Sequence, residues 1–472
     1  MRIDLLGTGS ADGWPNPFCR CASCDTERAD GYARRPSSAL VDGAVLIDCG
    51  PTTPHLPAGS KATLADVEHV LLTHGHPDHL HPAFLLSRSW TAPERTLHVW
   101  GPARAIDACA LWVGPGAAVE LHTVDPGQSW AIACRSGAYT VTALAANHAH
   151  GDGDVMALEA LLFLLEDSGG GRLLYATDTG PLLASALAAV GGRVDAVLLD
   201  ETFGDMPDHG TGHLDLARLP GVLDDLRAYG VVDGRTQVGA THLSHHNPPS
   251  RVLQGRLAGM GVRLMFDGDA LDTDGPRQHA HRTLLIGGAR SGKSTAAESM
   301  AAAYPEVAYV ATGGDRSDDD EWAQRVAAHR ARRPAHWRTV ETLDIASVLQ
   351  TAPAGSAVLV DCVALWLTGI LDGIDAWSRC EAGRSEDVRV EVERRIDLLV
   401  TSLDGCIADV IVVTNEVGMG VVPDTSGVRL FRDLLGIANA RIADACDRTL
   451  LVMAGRMLPL APVTGPAPGG TR

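Results

Sequence analysis

Short apolar runs, each broken by glycine, aspartate or histidine, recur along the chain and read as buried strands. Residues 1–9 form one such strand running into a Gly-rich turn. Residues 38–48 predict a hairpin, Ala39-Leu40-Val41 against Val45-Leu46-Ile47, turning at Asp42-Gly43. Residues 67–73 are the next strand, and the runs at 141–144, 173–175 and 238–240 follow it. Residues 263–271 read as a closing hairpin. A short polar stretch at 272–281, holding Gly275-Pro276, interrupts the pattern and reads as a linker. The apolar runs then resume with Leu284-Leu285-Ile286, a buried parallel strand, followed by good helix formers at 295–301 and further strands at 307–312 and 358–360. With 472 residues, this alternation predicts two α/β domains, 1–273 and 282–462, a linker at 274–281 and a flexible tail at 463–472.

Charge narrows the partners. The chain has 58 Asp and Glu against 39 Lys and Arg, a formal −19, and a field of that sign repels nucleic-acid backbones. No nucleic-acid partner is expected. There is no run of 18 apolar residues, so no membrane span is expected, and the first residues enter a strand rather than a signal peptide. A cytoplasmic location follows as the expectation. Of ten cysteines, Cys19, Cys21 and Cys24 crowd together while the others are scattered, which in a reducing compartment points to metal rather than disulfide.

The run Leu284-Leu285-Ile286 leads straight into Gly287, Gly288, Ala289, Arg290, Ser291, Gly292, Lys293 and Ser294, which fit G-x-x-x-x-G-K-[ST] at every fixed position. Glycines let such a loop wrap so that backbone N–H groups point inward, and the following helix presents its positive end to the anion. Lys293 is placed to reach the outer phosphates and Ser294 to ligate Mg²⁺. Strand, loop and helix are all present, so nucleoside triphosphate binding is the expectation.

Chemistry of another kind fills the first half. The loop after residues 67–73 carries His74, His76, Asp78 and His79, a density of imidazoles and carboxylate that can aim at two neighbouring cations. His148, Asp178 and His242 follow in order, each after an apolar run. These residues resemble the metallo-β-lactamase superfamily, with its H-x-H-x-D-H motif and later His, Asp and His. The resemblance implies an αββα sandwich with two metals at one sheet edge. It implies that His74, His76 and His148 hold one metal, that Asp78, His79 and His242 hold the other, and that Asp178 bridges them. Two Zn²⁺ or Mn²⁺ ions roughly 3.5–4 Å apart activate a water and clamp a displaced phosphate ester.

The cysteine cluster supplies three thiolates, and a closed tetrahedral site needs a fourth ligand. His245, three residues beyond His242, is the candidate. The arrangement is similar to the branch related to the cyclic-phosphate phosphodiesterase of the carbon–phosphorus lyase pathway, which opens on L-x-G-T-G, close to Leu6-Gly7-Thr8-Gly9 here, one residue tighter. That resemblance implies a structural zinc on Cys19, Cys21, Cys24 and His245, and makes His213, in Gly212-His213-Leu214-Asp215-Leu216, the general acid. The same superfamily includes tRNA-processing nucleases and lactonases, and a zinc-stabilised scaffold without catalysis is a further alternative; the physiological phosphate-ester substrate stays open.

In the second half, acidic residues at 318–321 open a predicted helix on which Glu321, Arg325 and His329 share one face, followed by Arg330, Ala331, Arg332 and Arg333 and stopped by Pro334. From the pattern alone this is equally a histidine poised to attack phosphorus and a solvated, salt-bridged helix. The loop Gly287 to Ser294, this helix through Glu341, the strand ending in Asp361 and the stretch Thr414-Asn415-Glu416-Val417-Gly418-Met419-Gly420 resemble the bifunctional adenosylcobinamide kinase/adenosylcobinamide-phosphate guanylyltransferases of cobalamin biosynthesis. The resemblance spans about 283–460 and implies a kinase step using ATP or GTP on adenosylcobinamide. It then implies transfer of GMP from GTP, through His329, onto adenosylcobinamide phosphate. It further implies nucleotide contacts from Gly287 to Ser294, from Thr312, Gly313 and Gly314, from Arg330 to Arg333, and from Glu341 and Asp361, with Lys293 catalytic. The resemblance also implies a homotrimer. The chain departs from the family in a slightly longer 312–318 segment and in Ala328, where some members have a second histidine. A generic phosphate-loop kinase with an incidental histidine is the rival reading.

Overall fold

The computed structural model describes residues 1–56, 63–91, 95–148, 160–274, 280–302, 304–314 and 333–460. The chain divides into two compact units, one of Met1–Arg28, Tyr32–Ser250 and Val262–Arg277, the other of Ala29–Gly31, Arg251–Gly261 and Gln278–Arg472.

The first unit is built on two seven-stranded sheets. One contains β1 (Arg2–Gly7), β2 (Ser38–Val41), β3 (Val45–Ile47), β4 (His69–Leu71), β5 (Leu97–Gly101) and β6 (Val119–Thr123). The other contains β7 (Ser129–Cys134), β8 (Gly137–Ala145), β9 (Leu161–Asp167), β10 (Arg172–Ala176), β11 (Ala196–Asp200), β12 (Gln237–Thr241) and β13 (Arg263–Leu264). β14 (Ala270–Asp272) returns to the first sheet, giving the order β14-β1-β2-β3-β4-β5-β6 beside β13-β12-β11-β10-β9-β8-β7. The β2–β3 hairpin turns at Asp42 and Gly43, whose φ values of 46° and 71° are the left-handed pair that an Asp-Gly turn supplies. From β3 to β6 and from β10 to β13 the strands run parallel.

The predicted closing hairpin at 263–271 does not form. β13 pairs in parallel with β12 in one sheet, and β14 pairs antiparallel with β1 in the other. The intervening residues Met265 and Phe266 are buried, so this segment steps across the core between sheets instead of folding back on itself.

Strand alternation explains the layers. Ile3, Leu5, Val41, Ile47 and Leu71 face Val141, Phe163, Leu165, Tyr175 and Leu198 in one shared core. The alternate positions Leu40, Leu46, Val70 and Val99 pack instead with Ala105, Ile106 and Cys109 of the helix Ala103–Ala110. On the other sheet Leu174, Val197 and Leu199 are equally buried, and the helix Ala184–Val190 packs on β8. The central strands β2, β3, β10 and β11 are therefore covered on both faces, which is why they read as continuous apolar runs, whereas β6 and β7 at the sheet edges stay partly exposed.

The second unit has one sheet of β15 (Arg282–Gly287), β16 (Val307–Ala311), β17 (Arg338–Glu341), β18 (Ala357–Asp361), β19 (Asp409–Asn415), β20 (Arg448–Met453) and β21 (Arg456–Leu460), in the order β17-β16-β18-β19-β15-β20-β21. Every pairing is parallel except β20 with β21. β15 is buried along its whole length between β19 and β20, as its three apolar residues predict. The long helices Ser385–Gly405 and Ser426–Ala445 pack on each other, with Val392, Ile396, Leu434 and Leu435 in the core. Among the described residues no helix is long and apolar enough to cross a membrane.

Phe163 is fully buried in the core between the first two sheets. Phe163→Ala is expected to destabilise the first unit by about 3–5 kcal/mol, seen as an earlier urea transition for that unit. An unchanged midpoint would show that the two sheets do not share this core.

Candidate functional site

In the first unit the chemistry gathers where six strands end. Asp48 follows β3, His74, His76, Asp78 and His79 follow β4, His148 follows β8, Asp178 follows β10, Asp200 ends β11, and His242 follows β12. β8 and β10 both run antiparallel to β9, so these ends lie on one edge. Three of the residues take left-handed backbone: Asp48 at φ 59°, Asp178 at 54° and His242 at 56°. A non-glycine residue there costs on the order of 1–3 kcal/mol and persists only where its surroundings hold it. Here side-chain contacts supply that hold.

His79 is wholly buried, with Nδ1 2.7 Å from Asp48 Oδ2. Asp48 in turn accepts from the Thr73 N–H at 2.8 Å and from its hydroxyl. With its Nδ1–H given to Asp48, the ring turns Nε2 toward Asp178 Oδ2 at 2.7 Å and Asp78 Oδ2 at 3.2 Å. Asp200 has the same role opposite. It accepts the N–H groups of Thr202 and Leu214, both at 3.0 Å, and faces His213 Nδ1 at 2.9 Å and His242 Nδ1 at 3.3 Å. His148 is oriented by the Gly212 carbonyl, 3.1 Å from its Nδ1.

These contacts bring the predicted residues into two groups that share Asp178: His74, His76, His148 and Asp178, and Asp78, His79, Asp178 and His242. Within each group the ligand atoms lie within 4.8 Å of one another. His213 is also drawn in, buried with its Nδ1 3.2 Å from Asp178 Oδ1 and 2.9 Å from Asp200 Oδ2.

The electrostatics follow from burial. Desolvation opposes ionisation of Asp178, yet His242, His79 and His74 outweigh it and hold the carboxyl well below its usual range. Burial likewise opposes charge on His242, but Asp178, Asp200 and Asp78 raise it to about 10. His74 goes the other way, lowered by desolvation and by its neighbour His79. Protons on imidazole thus balance the carboxylates, and those are the protons that a divalent ion displaces. Two atoms carry the test of fit. His74 Nε2 lies 3.0 Å from Asp178 Oδ2 and Asp178 Oδ1 lies 3.2 Å from His213 Nδ1, yet neither buried atom sits in hydrogen-bond geometry, which in a dry polar cluster suits cation ligation.

A second cluster lies on the loop and helix after β1. The sulfurs of Cys19, Cys21 and Cys24 and a ring nitrogen of His245 fall within 4.8 Å of one another. Backbone N–H groups point at the sulfurs: Cys21 at Cys19, Cys24 at Cys21 and Asn16 at Cys24, each at 3.3–3.4 Å. Desolvation raises the Cys21 thiol, but the Cys24 N–H and the side chains of His245, Cys19 and Cys24 bring it down to about 7, while burial raises Cys24. Amide-supported thiolates beside an imidazole fit a tetrahedral zinc.

In the second unit, β15 delivers Gly287 to a place only glycine can occupy, since an added Cβ would sit 2.2 Å from the Val452 carbonyl oxygen. The loop closes at Gly292, φ 101°, and the helix Lys293–Ala301 begins. Lys293 Nζ donates to the Gly288 carbonyl at 2.9 Å, and burial lowers its pKa. Ser291 Oγ is buried with no partner, as expected of a donor that awaits an anion. Ser294 Oγ donates to Asp361 Oδ1 at 3.4 Å, and Tyr309 donates to Asp361 Oδ2 at 2.6 Å. The Arg333 guanidinium stacks 3.3 Å over the Tyr309 ring. Thr312 bridges to Cys362 beside Asp361, with Gly313 and Gly314 following, and Glu341 ends the neighbouring strand β17. His329, Arg330, Ala331 and Arg332 lie outside the described residues.

Asp48, Thr73, Asp200 and Thr202, which position the imidazoles, stand in no motif of the sequence. A signal was present. Asp48 directly follows a fully apolar strand and Asp200 ends one, as Asp361 does.

Residues 283–460 match the family described as cobinamide kinase / cobinamide phosphate guanyltransferase, and residues 44–233 match a beta-lactamase superfamily domain. The chain is 39% identical over 175 residues to the bifunctional adenosylcobalamin biosynthesis protein CobU of Salmonella typhimurium, covering 36% of this chain and 95% of that one. To the bifunctional adenosylcobalamin biosynthesis protein CobP of Pseudomonas aeruginosa it is 41% identical over 182 residues, 38% of this chain and 96% of that one. Among solved structures, a diphosphatase from the PhnP family is similar at 21% identity and a TM-score of 0.44, over 57% of this chain and 97% of that chain. The chain accordingly belongs to the cobinamide kinase / cobinamide phosphate guanyltransferase family through residues 283–460, and joins to it a metallo-β-lactamase-like domain.

Proposed function

We propose that the second unit acts twice on one substrate, first phosphorylating the aminopropanol hydroxyl of adenosylcobinamide and then converting the phosphate to adenosylcobinamide-GDP. The observation that carries this is the loop Gly287 to Ser294, with Lys293 and the unpartnered Ser291 hydroxyl aimed into it and Asp361 at its edge. In the kinase step the hydroxyl attacks the γ-phosphorus of ATP or GTP while backbone N–H groups and Lys293 stabilise the charge on the transferred and leaving oxygens. Ser294 and Asp361 would hold Mg²⁺, which supplies charge neutralisation at the phosphates. In the transfer step His329 attacks the α-phosphorus of GTP, forming an N–P bond as the bond to pyrophosphate breaks. The phosphate oxygen of adenosylcobinamide phosphate then attacks that phosphorus and frees the imidazole. Arg330, Arg332 and Arg333 neutralise the phosphoryl charge in both halves of the transfer.

The first unit we read as a phosphodiesterase-type hydrolase. His74, His76, His148 and Asp178 would hold one divalent ion, Asp78, His79, His242 and Asp178 the other, and together these ions supply Lewis-acid polarisation of a phosphoryl group. Asp48 and Asp200 fix the rings that hold them. His213, held through Nδ1 on Asp200, passes a proton to the leaving oxygen. Cys19, Cys21, Cys24 and His245 would hold a structural zinc that ties the loop after β1. A cytoplasmic homotrimer completes the reading, on the family likeness.

Three outcomes test these assignments. Incubation with GTP labelled at the α-phosphate is expected to leave acid-labile, base-stable label on the chain, and His329→Ala to abolish it; label retained in that variant would place the nucleophile elsewhere. Turnover of bis(p-nitrophenyl) phosphate is expected to vanish in His76→Ala and to fall with an about 10–100-fold loss of metal affinity in Asp48→Asn, measured by chelator competition. Unchanged turnover in both would remove the hydrolase assignment. Cys21→Ser is expected to lose one zinc per chain by elemental analysis, and full zinc content would reject that ligand set.

A further inference from the structure

A third group of ligand-type side chains, His98, His122 and Glu120, sits on β5 and β6, outside both clusters. In the first sheet β4, β5 and β6 run parallel, with His69 paired to His98, His98 to Glu120, and Trp100 to His122. Residues paired in this way project from the same face, so three strands line up histidines side by side. The rings stack as a column: His69 on His98 at 5.1 Å, His98 on His122 at 5.3 Å, and His122 on Trp100 at 3.8 Å with 14° between planes. Trp130 backs Trp100 at 5.2 Å, and the Trp100 Nε1–H is given to His69 Nδ1 at 3.2 Å. The aromatic backing fixes where the two outer imidazoles can point.

They point at each other. His98 Nδ1 lies 3.1 Å from His122 Nε2, and Glu120 Oε2 lies 3.4 Å from the first and 3.8 Å from the second. Metal–ligand bonds of about 2.0–2.2 Å at tetrahedral angles separate neighbouring donors by about 3.3–3.5 Å. The three observed separations bracket that value, so an ion entering this triangle asks little movement of its ligands. Entry is open, because the side chains of His98, His122 and Glu120 retain 30%, 28% and 60% of their exposure.

We propose that His98, His122 and Glu120 form a site for one divalent d-block cation, zinc by its donor set, with the fourth position left to water or to a ligand arriving from solvent. None of its residues belongs to the His74–His242 cluster or to the cysteine cluster. The site is of the open kind, two imidazoles and a carboxylate, which leaves a coordination position for exchange. Its ring geometry comes from stacking on Trp100 rather than from carboxylate partners of the kind that fix His79 and His213.

The test uses the full chain, stripped of metal and reloaded, with Zn²⁺ bound at equilibrium counted by dialysis and elemental analysis. The other zinc sites are common to every variant and cancel in the difference. Wild type is expected to hold one zinc per chain more than His122→Ala, and Glu120→Gln to weaken that equivalent at least tenfold. Glu120 is exposed and outside the core, so its substitution leaves the fold standing even if His122→Ala disturbs the Trp100 stack. Co²⁺ loading of the same proteins is expected to show one fewer tetrahedral chromophore in both variants. Equal zinc content and equal affinity across wild type, His122→Ala and Glu120→Gln would overturn the site.

Discussion

A strand covered on both faces can end only where its first polar side chain finds partners, because a buried carboxylate left unpaired is far costlier than the strand is worth. Asp48, Asp200 and Asp361 are each the first polar residue after an apolar run, at the end of β3, β11 and β18. Their partners are what the two sites are made of. In the first unit the partners are the Thr73 and Thr202 donors and, behind them, the imidazoles His79, His213 and His242. In the second they are Ser294 of the phosphate loop and Tyr309, which carries Arg333 on its ring.

The consequence differs with what the carboxylate orients. Asp48 and Asp200 take the Nδ1 side of their histidines, which leaves Nε2 for a cation, and the left-handed turns at Asp48, Asp178 and His242 aim those side chains into one volume. That volume gathers carboxylates and imidazoles, a donor set suited to divalent ions. Asp361 instead meets a hydroxyl and a phenol beside a loop of backbone N–H groups, a setting for a metal that accompanies phosphates rather than one that resides in the protein. One device of folding therefore supports two chemistries, hydrolysis at held ions and phosphoryl or nucleotidyl transfer at a loop.

Most of the fold was legible because burial on both faces writes itself as unbroken apolar runs: β1, β2, β3, β8, β10, β12, β15, β16 and β18 all stand where those runs are. The segment 263–271 was not, since two apolar stretches close in sequence look like a hairpin whether they pair with each other or with different sheets; only the register of β1 and β12 decides. The ligand-type residues were legible for a related reason. Histidines and aspartates crowded after apolar strands have few structural uses, and the GGARSGKS loop is specific. Asp48 and Asp200 were overlooked because a lone carboxylate carries no spacing signature, and its role appears only when Thr73, Leu214 and the rings close around it. The column of His69, His98, Trp100 and His122 was invisible for the same reason, as its members are far apart in sequence and meet only through cross-strand pairing.

Both sites depend on cations meeting the carboxylates that close apolar strands and their neighbours. Anomalous diffraction at the manganese edge, from crystals grown with Mn²⁺ and GTP, examines both in one data set. The account predicts peaks within coordination distance of Asp178 in the first unit and of the Ser294–Asp361 pair in the second. Manganese absent from both, in crystals where GTP is bound, would contradict it.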